Sequence, residues 1–255
     1  MSTLLLDIGN SRLKWAQPGK GRQRLRSHGE APRPAPEELP DLARKAWGRL
    51  RPRRVLAACV AGPAFAEALA AWCREAWDLE PELVQAPGRG WGVTNAYRRP
   101  ERLGPDRWAA LVAAWRRTQE PVCVVDAGTA LTIDALDAAG RHLGGLIVPG
   151  PELMRRALLQ GTGALQALAA DPEPADGAAL LARDTAPAIE GGALYALVAL
   201  VARVPRDLEA ELGRPLRRLL TGGDAPRLLP LLSDGYDHAP HLVLEGLAVM
   251  AEEAP

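Results

Sequence analysis

The segment Leu4-Leu-Leu-Asp-Ile-Gly-Asn-Ser11 decides the fold, because the chain builds the same pattern again as Val122-Cys-Val-Val-Asp-Ala-Gly-Thr-Ala130. In both copies a short apolar run ends at an aspartate, a glycine follows two residues later, and a second run with alternating apolar residues comes next. Each copy therefore predicts a buried strand, a tight turn and a second strand. The two copies lie about half the chain length apart, which predicts two similar lobes and not a solenoid.

Helical and strand-like stretches alternate through the rest of the chain. Continuous apolar runs predict covered strands at 55–60 and 216–220, and helices are predicted to end near Leu50 and to begin at Pro63 and Pro105. This mixture predicts an α/β fold in which mixed sheets are flanked by helices. We place the two lobes at residues 1–117 and 118–255.

Composition excludes several classes of protein. Lysine plus arginine and aspartate plus glutamate number 31 each, so the formal net charge is zero. A balanced chain offers no basic surface for nucleic acid or an anionic membrane. The first residues form no basic leader, and no uninterrupted apolar stretch reaches the roughly 18 residues of a membrane span. Three scattered cysteines without a CxxC pair predict reduced thiols in a cytoplasmic protein.

The four histidines receive no role from the sequence. His28 and His142 stand alone, and Pro240 between His238 and His241 argues against a helical metal pair. We expect the last two to be a solvated loop pair.

The two Asp-x-Gly turns are suited to gripping phosphate. Glycine lets the backbone approach an anion closely, and N–H groups together with the hydroxyl of Ser11 or Thr129 can donate to phosphate oxygens. Lys14 can reach the same phosphates, and an aspartate at the strand end suits Mg²⁺, mostly through water. The alternative for either copy is an ordinary tight turn without a ligand, and the repetition favours phosphate binding.

A third glycine turn, Thr221-Gly-Gly-Asp224, follows the strand predicted at 216–220. Adenine or ribose could lie against the backbone of Gly222 and Gly223. The alternative is a helix N-cap formed by Asp224, and both can hold at once. The chain contains neither a GxxxxGK[ST] loop nor a GxGxxG fingerprint, so other common routes to nucleotide binding are unsupported.

The order and spacing of these motifs resemble those of type III pantothenate kinases. The resemblance extends from about residue 3 to residue 249 and rests on Asp7-Ile-Gly-Asn-Ser-Arg-Leu-Lys14, Gly104-Pro-Asp-Arg107, Asp126-Ala-Gly-Thr-Ala130 and Thr221-Gly-Gly-Asp224. Further matches are Asn95-x-Tyr97, Gly144-Gly-x-x-x-Pro-Gly150 and Leu242-x-Leu-Glu-Gly-Leu247. The resemblance implies two duplicated actin-like (ribonuclease H-like) lobes of the acetate and sugar kinase/Hsp70/actin superfamily. It also implies a kinase that moves the γ-phosphate of ATP to the 4′-hydroxyl of pantothenate, the first step of coenzyme A biosynthesis.

The resemblance implies a role for each residue around the substrate. Asp106 is expected to be the general base, whereas the residues alone also allow an ordinary place in the N-cap region of the following helix, where aspartate is common. Arg107 is expected to bind the substrate carboxylate or to steady the site. Tyr97 matches a tyrosine that contacts pantothenate, and Gly104 and Pro105 complete this part of the substrate site.

A homodimer is implied by the resemblance alone. Thr185 is similar to a threonine that reaches the substrate from the neighbouring subunit. The alternative for Thr185 is a helix N-cap.

The resemblance also implies how ATP is held. The residues expected around its phosphates are Asp7, Ile8, Gly9, Asn10, Ser11, Arg12, Leu13 and Lys14, with Thr129, Gly222 and Gly223 from the second lobe. Asp126 matches a carboxylate that coordinates a monovalent cation, K⁺ or NH₄⁺, beside the Mg²⁺ of ATP, and a water-mediated Mg²⁺ role is its alternative. Ser11 stands where the family more often has threonine and keeps the hydroxyl.

Two rival functions are weighed against this one. A kinase of the same superfamily could act on a different acid or sugar, although Tyr97, the GxDR motif and Thr185 together argue against it. A non-catalytic regulatory protein is the second rival, but it would be expected to lose the base or the phosphate grip. We also expect the lobes to close around ATP.

Overall fold

The computed structural model describes residues 2–19, 25–161, 181–232 and 235–252 of the 255-residue chain. The chain divides into two compact units. Unit 1 comprises Met1–Val122, Asp134–Gly144 and His241–Pro255, and unit 2 comprises Cys123–Ile133 and Gly145–Pro240. The two units are defined by which residues contact one another. The lobes predicted at 1–117 and 118–255 are instead placed from the repeated sequence motif, so their boundary stays a prediction.

The predicted first hairpin is the centre of a five-stranded mixed sheet. Its strands are β1 (Thr3–Ile8), β2 (Arg12–Pro18), β3 (Leu25–Pro32), β4 (Arg54–Cys59) and β5 (Glu82–Leu83), in the order β3-β2-β1-β4-β5. Strand β1 pairs antiparallel with β2 and parallel with β4. The predicted strand at 55–60 is confirmed as β4, buried over four successive residues.

Two helices cover one face of this sheet. Helix α1 (Leu39–Trp47) begins after a short 3₁₀ turn, and helix α2 (Pro63–Trp77) begins with proline in its first turn, where the missing N–H costs nothing. Their apolar stripes close a core with Leu4, Leu6, Ile8 and Leu13. Four tryptophans pack edge to face in a row in this region. The distances between ring centroids are 6.0 Å for Trp15 and Trp47, 5.6 Å for Trp47 and Trp72, and 4.5 Å for Trp72 and Trp77.

A close pair of helices completes unit 1. Helix α3 (Pro105–Thr118) packs against a helix at Leu242–Glu252, called α7 below. The crossing is so close that a Cβ added at Gly246 would overlap the backbone of Ala109. Arg117 and Glu245 join the same two helices through hydrogen bonds of 2.6 and 2.7 Å. The Leu-Glu-Gly-Leu motif near the end of the chain therefore positions α3. A two-stranded ribbon, β6 (Arg89–Gly90) and β7 (Val93–Thr94), precedes α3.

The second sheet repeats the order of the first. Its strands are β8 (Val122–Ala127), β9 (Ala130–Leu136), β10 (His142–Pro149), β11 (Arg217–Thr221) and β12 (Tyr236–His238), in the order β10-β9-β8-β11-β12. A hairpin-forming first strand lies at the centre of both sheets, and a later strand joins its other side. The predicted duplication and α/β class are confirmed.

Unit 2 contains the remaining described helices, α4 (Pro151–Gly161), α5 (Thr185–Leu212) and the short α6 (Ala225–Leu228). One stripe of α5 is buried, at Ala193, Leu197, Val201 and Pro205. Among the described helices, α5 alone has the length and composition of a membrane span. The sequence prediction overlooked it because Glu190 and Arg203 interrupt the apolar run. This is weak evidence for a membrane, since core helices pass the same test.

Candidate functional site

Asp106 lies in the first turn of α3, where the GxDR motif gives it a defined place. Gly104 is the N-cap and Pro105 the first helical residue. A Cβ added at Gly104 would stand 2.5 Å from Asp106 Oδ1, so only glycine leaves room for the carboxylate. Asp106 Oδ1 accepts a hydrogen bond of 2.8 Å from the backbone N–H of Arg107. The alternative of a place in the N-cap region also agrees with the structure, because Asp106 lies two residues after the N-cap Gly104 and accepts from a first-turn N–H.

Burial changes the acidity of Asp106. It raises the pKa of the carboxyl group above its ordinary value, and the N–H and positive charge of Arg107 offset only part of this effect. A carboxylate with a raised pKa is a stronger base than an exposed one, which suits proton removal from a hydroxyl group.

The guanidinium of Arg107 makes its hydrogen bonds with Asp134 and Tyr97. Its Nε and Nη2 donate to Asp134 at 2.8 and 2.6 Å, and its Nη1 donates to Tyr97 Oη at 2.9 Å. Both members of the ion pair are buried, with side-chain exposures of 7% and 4%. Of the two expected roles for Arg107, these contacts favour steadying the site over binding a substrate carboxylate.

Asp134 and His142 were missed by the sequence reasoning. His142 Nε2 lies 2.9 Å from Asp134 Oδ1, and the imidazole ring stacks on Tyr97 with a centroid distance of 5.9 Å and an interplanar angle of 17°. The prediction that His142 is isolated is therefore wrong. No sequence signal marks Asp134, because it occupies a polar position of the alternating strand β9, where a solvent-facing side chain is the ordinary expectation.

The first Asp-x-Gly turn forms as predicted, and side chains of the two strands that it joins alternate between the two faces of the hairpin. Gly9 N–H donates to Arg12 O at 3.0 Å. Asp7 and Lys14 are directly opposite in the ladder, so their side chains share a face. Ile8 and Leu13 are also opposite and lie in the core. Only the backbone of these two expected ATP-contacting residues can therefore face a ligand.

The tip of this turn is fixed by an arginine that the sequence reasoning did not single out. Asn10 and Ser11 are exposed at the tip, and Arg12 pairs with Glu30 at 2.7 Å. The backbone N–H of Arg33 donates to Ser11 O at 2.9 Å, and its Nε donates to Asn10 O at 2.8 Å. With two successive carbonyl oxygens held in this way, the turn has a fixed conformation.

Three glycine turns meet in unit 2. Gly150 N–H donates to Thr129 O at 3.0 Å, and a Cβ added at Gly150 would stand 2.5 Å from Gly128 O. Asp224 N–H donates to Ala127 O at 2.9 Å, which brings the third predicted turn beside the second Asp-x-Gly turn.

Gly222 is required by both backbone and space. Its φ is +95°, a backbone conformation that favours glycine, and a Cβ there would stand 2.5 Å from Asp126 Oδ1. Gly223 is exposed beside it. Asp224 is the N-cap of α6, as the alternative predicts, but its side chain makes no capping bond and contacts Arg227 at 3.3 Å. The carboxylate of Asp126 thus lies in a glycine-lined cradle.

Thr185 is the first residue of α5 and does not cap it. Asp184 is the N-cap, and its side chain accepts a hydrogen bond of 2.7 Å from the Thr185 N–H. The capping alternative for Thr185 is wrong.

Two further histidines differ from expectation. His28 is not isolated, because its ring lies 4.6 Å from that of His241. Burial lowers the pKa of His241, and the nearby His28 and Lys14 lower it further. Among the described residues, no group of three or more His, Cys, Asp or Glu side chains could hold a metal ion.

Comparison with known proteins identifies relatives along the whole chain. Residues 3–207 match a family model described as "Type III pantothenate kinase". A type III pantothenate kinase from Nitrosococcus oceani is 42% identical over 255 residues, covering 98% of this chain and 94% of the relative. One from Halorhodospira halophila is 40% identical over 250 residues, covering 96% and 95%.

Solved structures share the fold at low sequence identity. A putative Baf family transcriptional activator from Campylobacter jejuni has a TM-score of 0.58 at 20% identity, covering 98% of both chains. A ROK family glucokinase from Streptomyces griseus, solved with glucose and AMPPNP, has a TM-score of 0.50 at 13% identity and covers all of both chains. These likenesses concern the fold alone, which is that of the actin-like ATPases and sugar kinases.

Proposed function

Because the chain belongs to the type III pantothenate kinase family, we propose that Asp106 is the general base of its reaction. The protein is a pantothenate kinase, which transfers the γ-phosphate of ATP to the 4′-hydroxyl of pantothenate in the first step of coenzyme A biosynthesis. The observation that carries the proposal is the half-buried carboxylate of Asp106, with its raised pKa, at the start of α3.

In the proposed step, the 4′-hydroxyl oxygen forms a bond to the γ-phosphorus while the bond from that phosphorus to the ADP oxygen breaks. The hydroxyl proton passes to Asp106, and ADP leaves with the electrons of the broken bond. Phosphoryl transfer of this kind depends mainly on positioning and on charge stabilisation. The hydrogen bond from the Arg107 N–H fixes one oxygen of the base.

We propose that the two Asp-x-Gly turns grip ATP. Exposed Asn10 and Ser11, held by Arg33, offer a rigid backbone to the phosphates, and Lys14 lies on the same face of the hairpin as Asp7. Thr129 is the corresponding residue of the second turn. Gly222 and Gly223 would lie against adenine or ribose, since neither carries a side chain.

The kinase uses ATP with a divalent metal, for which we propose Mg²⁺. The metal neutralises phosphate charge when bound. We further propose that Asp126 holds K⁺ or NH₄⁺. The fit rests on the cradle between Gly128 and Gly222, where a hard carboxylate oxygen is closely surrounded by backbone. Since no described cluster supplies three metal-binding side chains, the remaining ligands would be carbonyl, phosphate and water oxygens.

On the substrate side, we propose that Tyr97 contacts pantothenate together with Gly104, Pro105 and Asp106. Arg107 would support Tyr97 through the hydrogen bond of 2.9 Å to its hydroxyl.

We also propose that the protein acts as a homodimer in which Thr185 reaches the partner's substrate site. Only 22% of the most apolar window of α5 is buried within the described chain, and apolar side chains of unit 2 stay exposed. They include Leu146, Ile147, Leu153, Leu158 and Tyr195, and the side chain of Ile147 is 62% exposed. An uncovered apolar surface of this kind favours a second copy of the chain.

A cytoplasmic location belongs to the same proposal. Its support is that Cys59, Cys73 and Cys123 are joined by no disulfide bond within the described residues, since disulfides are rare in proteins of a reducing compartment.

The test is ADP release by the purified protein with Mg-ATP, with and without pantothenate and with and without potassium. We expect turnover that requires pantothenate and rises with potassium. The Asp106→Asn variant should lose about 10²–10⁴-fold in kcat, the usual contribution of a general base, whereas the exposed Asp41→Asn control should retain full activity. An Asp106→Asn variant with unchanged kcat would remove Asp106 from the reaction.

A further inference from the structure

Asp134 carries a buried negative charge that none of the steps above uses. Its two oxygens accept hydrogen bonds from Arg107 Nε and Nη2, and Oδ1 also contacts His142 Nε2. Burying two charges is expensive, and an apolar pair of similar size is often no less stable. The ion pair therefore requires an explanation other than stability.

The contact with Asp134 determines which ring nitrogen of His142 carries a proton. A carboxylate paired with arginine only accepts hydrogen bonds, so His142 Nε2 must carry the proton that lies between the two groups. In the neutral ring, Nδ1 then has a bare lone pair, and within the described part of the chain it finds no hydrogen-bond partner. The side chain of His142 has no solvent exposure. It is thus a donor to Asp134 and a flat surface beneath the ring of Tyr97.

Tyr97 is the member of this hydrogen-bonded network that solvent can reach. Asp134, Arg107 and His142 are buried, whereas Tyr97 is half-buried. The phenol oxygen accepts from Arg107 Nη1, so the phenol proton is directed to a different acceptor. The guanidinium carbon also lies 5.6 Å from the centre of the Tyr97 ring.

We propose that Asp134 and His142 are positioning residues that make Tyr97 a fixed one-way hydrogen-bond donor to an oxygen acceptor of the substrate. Asp134 orients Arg107, Arg107 occupies the acceptor side of the phenol, and the His142 ring holds the phenol plane. The site would then favour substrates that present a carbonyl or carboxylate oxygen to Tyr97. This inference rests on the proposed contact between Tyr97 and pantothenate.

The experiment measures kcat and the KM values for pantothenate and ATP in Tyr97→Phe, Asp134→Asn and His142→Gln, in the full chain. Each change should raise KM for pantothenate about tenfold, the value of one well-placed hydrogen bond, and leave kcat and KM for ATP within about twofold. Asp237→Asn breaks an exposed arginine–aspartate pair and is the matched control, with no expected change.

The deciding variant is the double substitution Tyr97→Phe with His142→Gln. If His142 acts through Tyr97, the double variant should have the same KM for pantothenate, within about twofold, as Tyr97→Phe alone. A multiplied effect would overturn the proposal, as would an unchanged KM accompanied by a lower thermal midpoint, which is the mark of a purely structural role.

The test still works if one variant fails to fold, and its result is independent of the test of Asp106 as the base. His142→Gln retains an N–H donor for Asp134, so it carries the test if Asp134→Asn does not fold. Loss of kcat in Asp106→Asn is expected whether or not the network acts on Tyr97, so failure of the base assignment and failure of this inference give different results.

Discussion

Asp106 accepts a hydrogen bond of 2.8 Å from the backbone N–H of Arg107, the next residue of α3, while the side chain of Arg107 binds elsewhere. Two adjacent residues of one motif thus have different roles. Asp106 presents a carboxylate in the first turn of α3, and Arg107 anchors that turn to β9 through its hydrogen bond with Asp134. Their spacing is fixed because both belong to the first helical turn.

The first prediction concerns the stability of Asp106→Asn. Burial raises the pKa of Asp106 in the folded protein above its unfolded value. The folded state therefore loses stability as pH rises from below the ordinary aspartate pKa through the raised value, and the loss is complete above it. Asparagine carries no charge and avoids this loss.

We expect the thermal midpoint of Asp106→Asn to exceed that of the unchanged protein at neutral pH, with the difference shrinking in acid. Differential scanning calorimetry at several pH values measures it. A difference that grows in acid would contradict the raised pKa.

The pH dependence of activity gives a second prediction. A base must be deprotonated, so kcat/KM for pantothenate should fall in acid as Asp106 takes up a proton. Because burial raises this pKa, the fall should begin at higher pH than an exposed aspartate would produce. Steady-state rates across the acid range, with stability checked at each pH, test the expectation. An acid limb at or below the ordinary aspartate pKa would speak against it.

A third prediction follows from the crossing of α3 and α7. Gly246→Ala places a methyl group against the Ala109 backbone, so the helices must separate. We expect a loss of about 1–3 kcal/mol in the free energy of unfolding, measured by urea denaturation. Gly88→Ala is the control, since its Cβ would meet only Pro100 Cγ at 3.7 Å. Equal stability of the two variants would show that the helices can move apart freely.

A fourth prediction tests the proposed dimer surface. Ile147→Glu places a charge on the exposed apolar side of unit 2, and we expect at least about a tenfold weaker dimer because a buried unpaired charge is costly. Leu83→Glu changes a 43% exposed leucine on β5 and should leave the dimer intact. Light scattering after gel filtration at several concentrations distinguishes the two. A dimer unaffected by Ile147→Glu would place the interface on another surface.

A fifth prediction concerns the monovalent cation. Asp126→Asn keeps the shape of the carboxylate but removes its charge, so the potassium concentration for half-maximal activity should rise about tenfold. Rates measured against potassium at constant ionic strength test this. A variant that keeps its response to potassium but loses its response to Mg²⁺ would favour the water-mediated magnesium role.

Local patterns predicted much of the fold. The first hairpin, the buried strand β4 and the start of α3 at Pro105 each follow from apolar runs and punctuating glycine or proline within a few residues. The short strands β5 and β12 were not predicted, because two or three residues carry no period and exist as strands only beside β4 and β11.

The candidate site divides in the same way. Asp106 and the Asp-x-Gly turns stand in compact motifs and could be predicted. Asp134 and Arg33 could not, because their importance arises from partners 27 and 23 residues away. The sequence shows a carboxylate in a strand and an arginine in a proline-rich connector, and only the folded chain brings each to its partner.

The edge-to-face tryptophans of unit 1 have an optical consequence. All seven tryptophans of the chain, from Trp15 to Trp115, precede residue 123, so unit 2 contains none. Fluorescence excited at the long-wavelength edge of the protein absorbance comes from tryptophan alone. It therefore reports on unit 1 only. Unit 2 contributes nothing to that signal, and its two tyrosines, Tyr195 and Tyr236, share the tyrosine emission with Tyr97 of unit 1. A change in tryptophan emission on heating therefore marks the melting of unit 1, and melting of unit 2 alone leaves it unchanged.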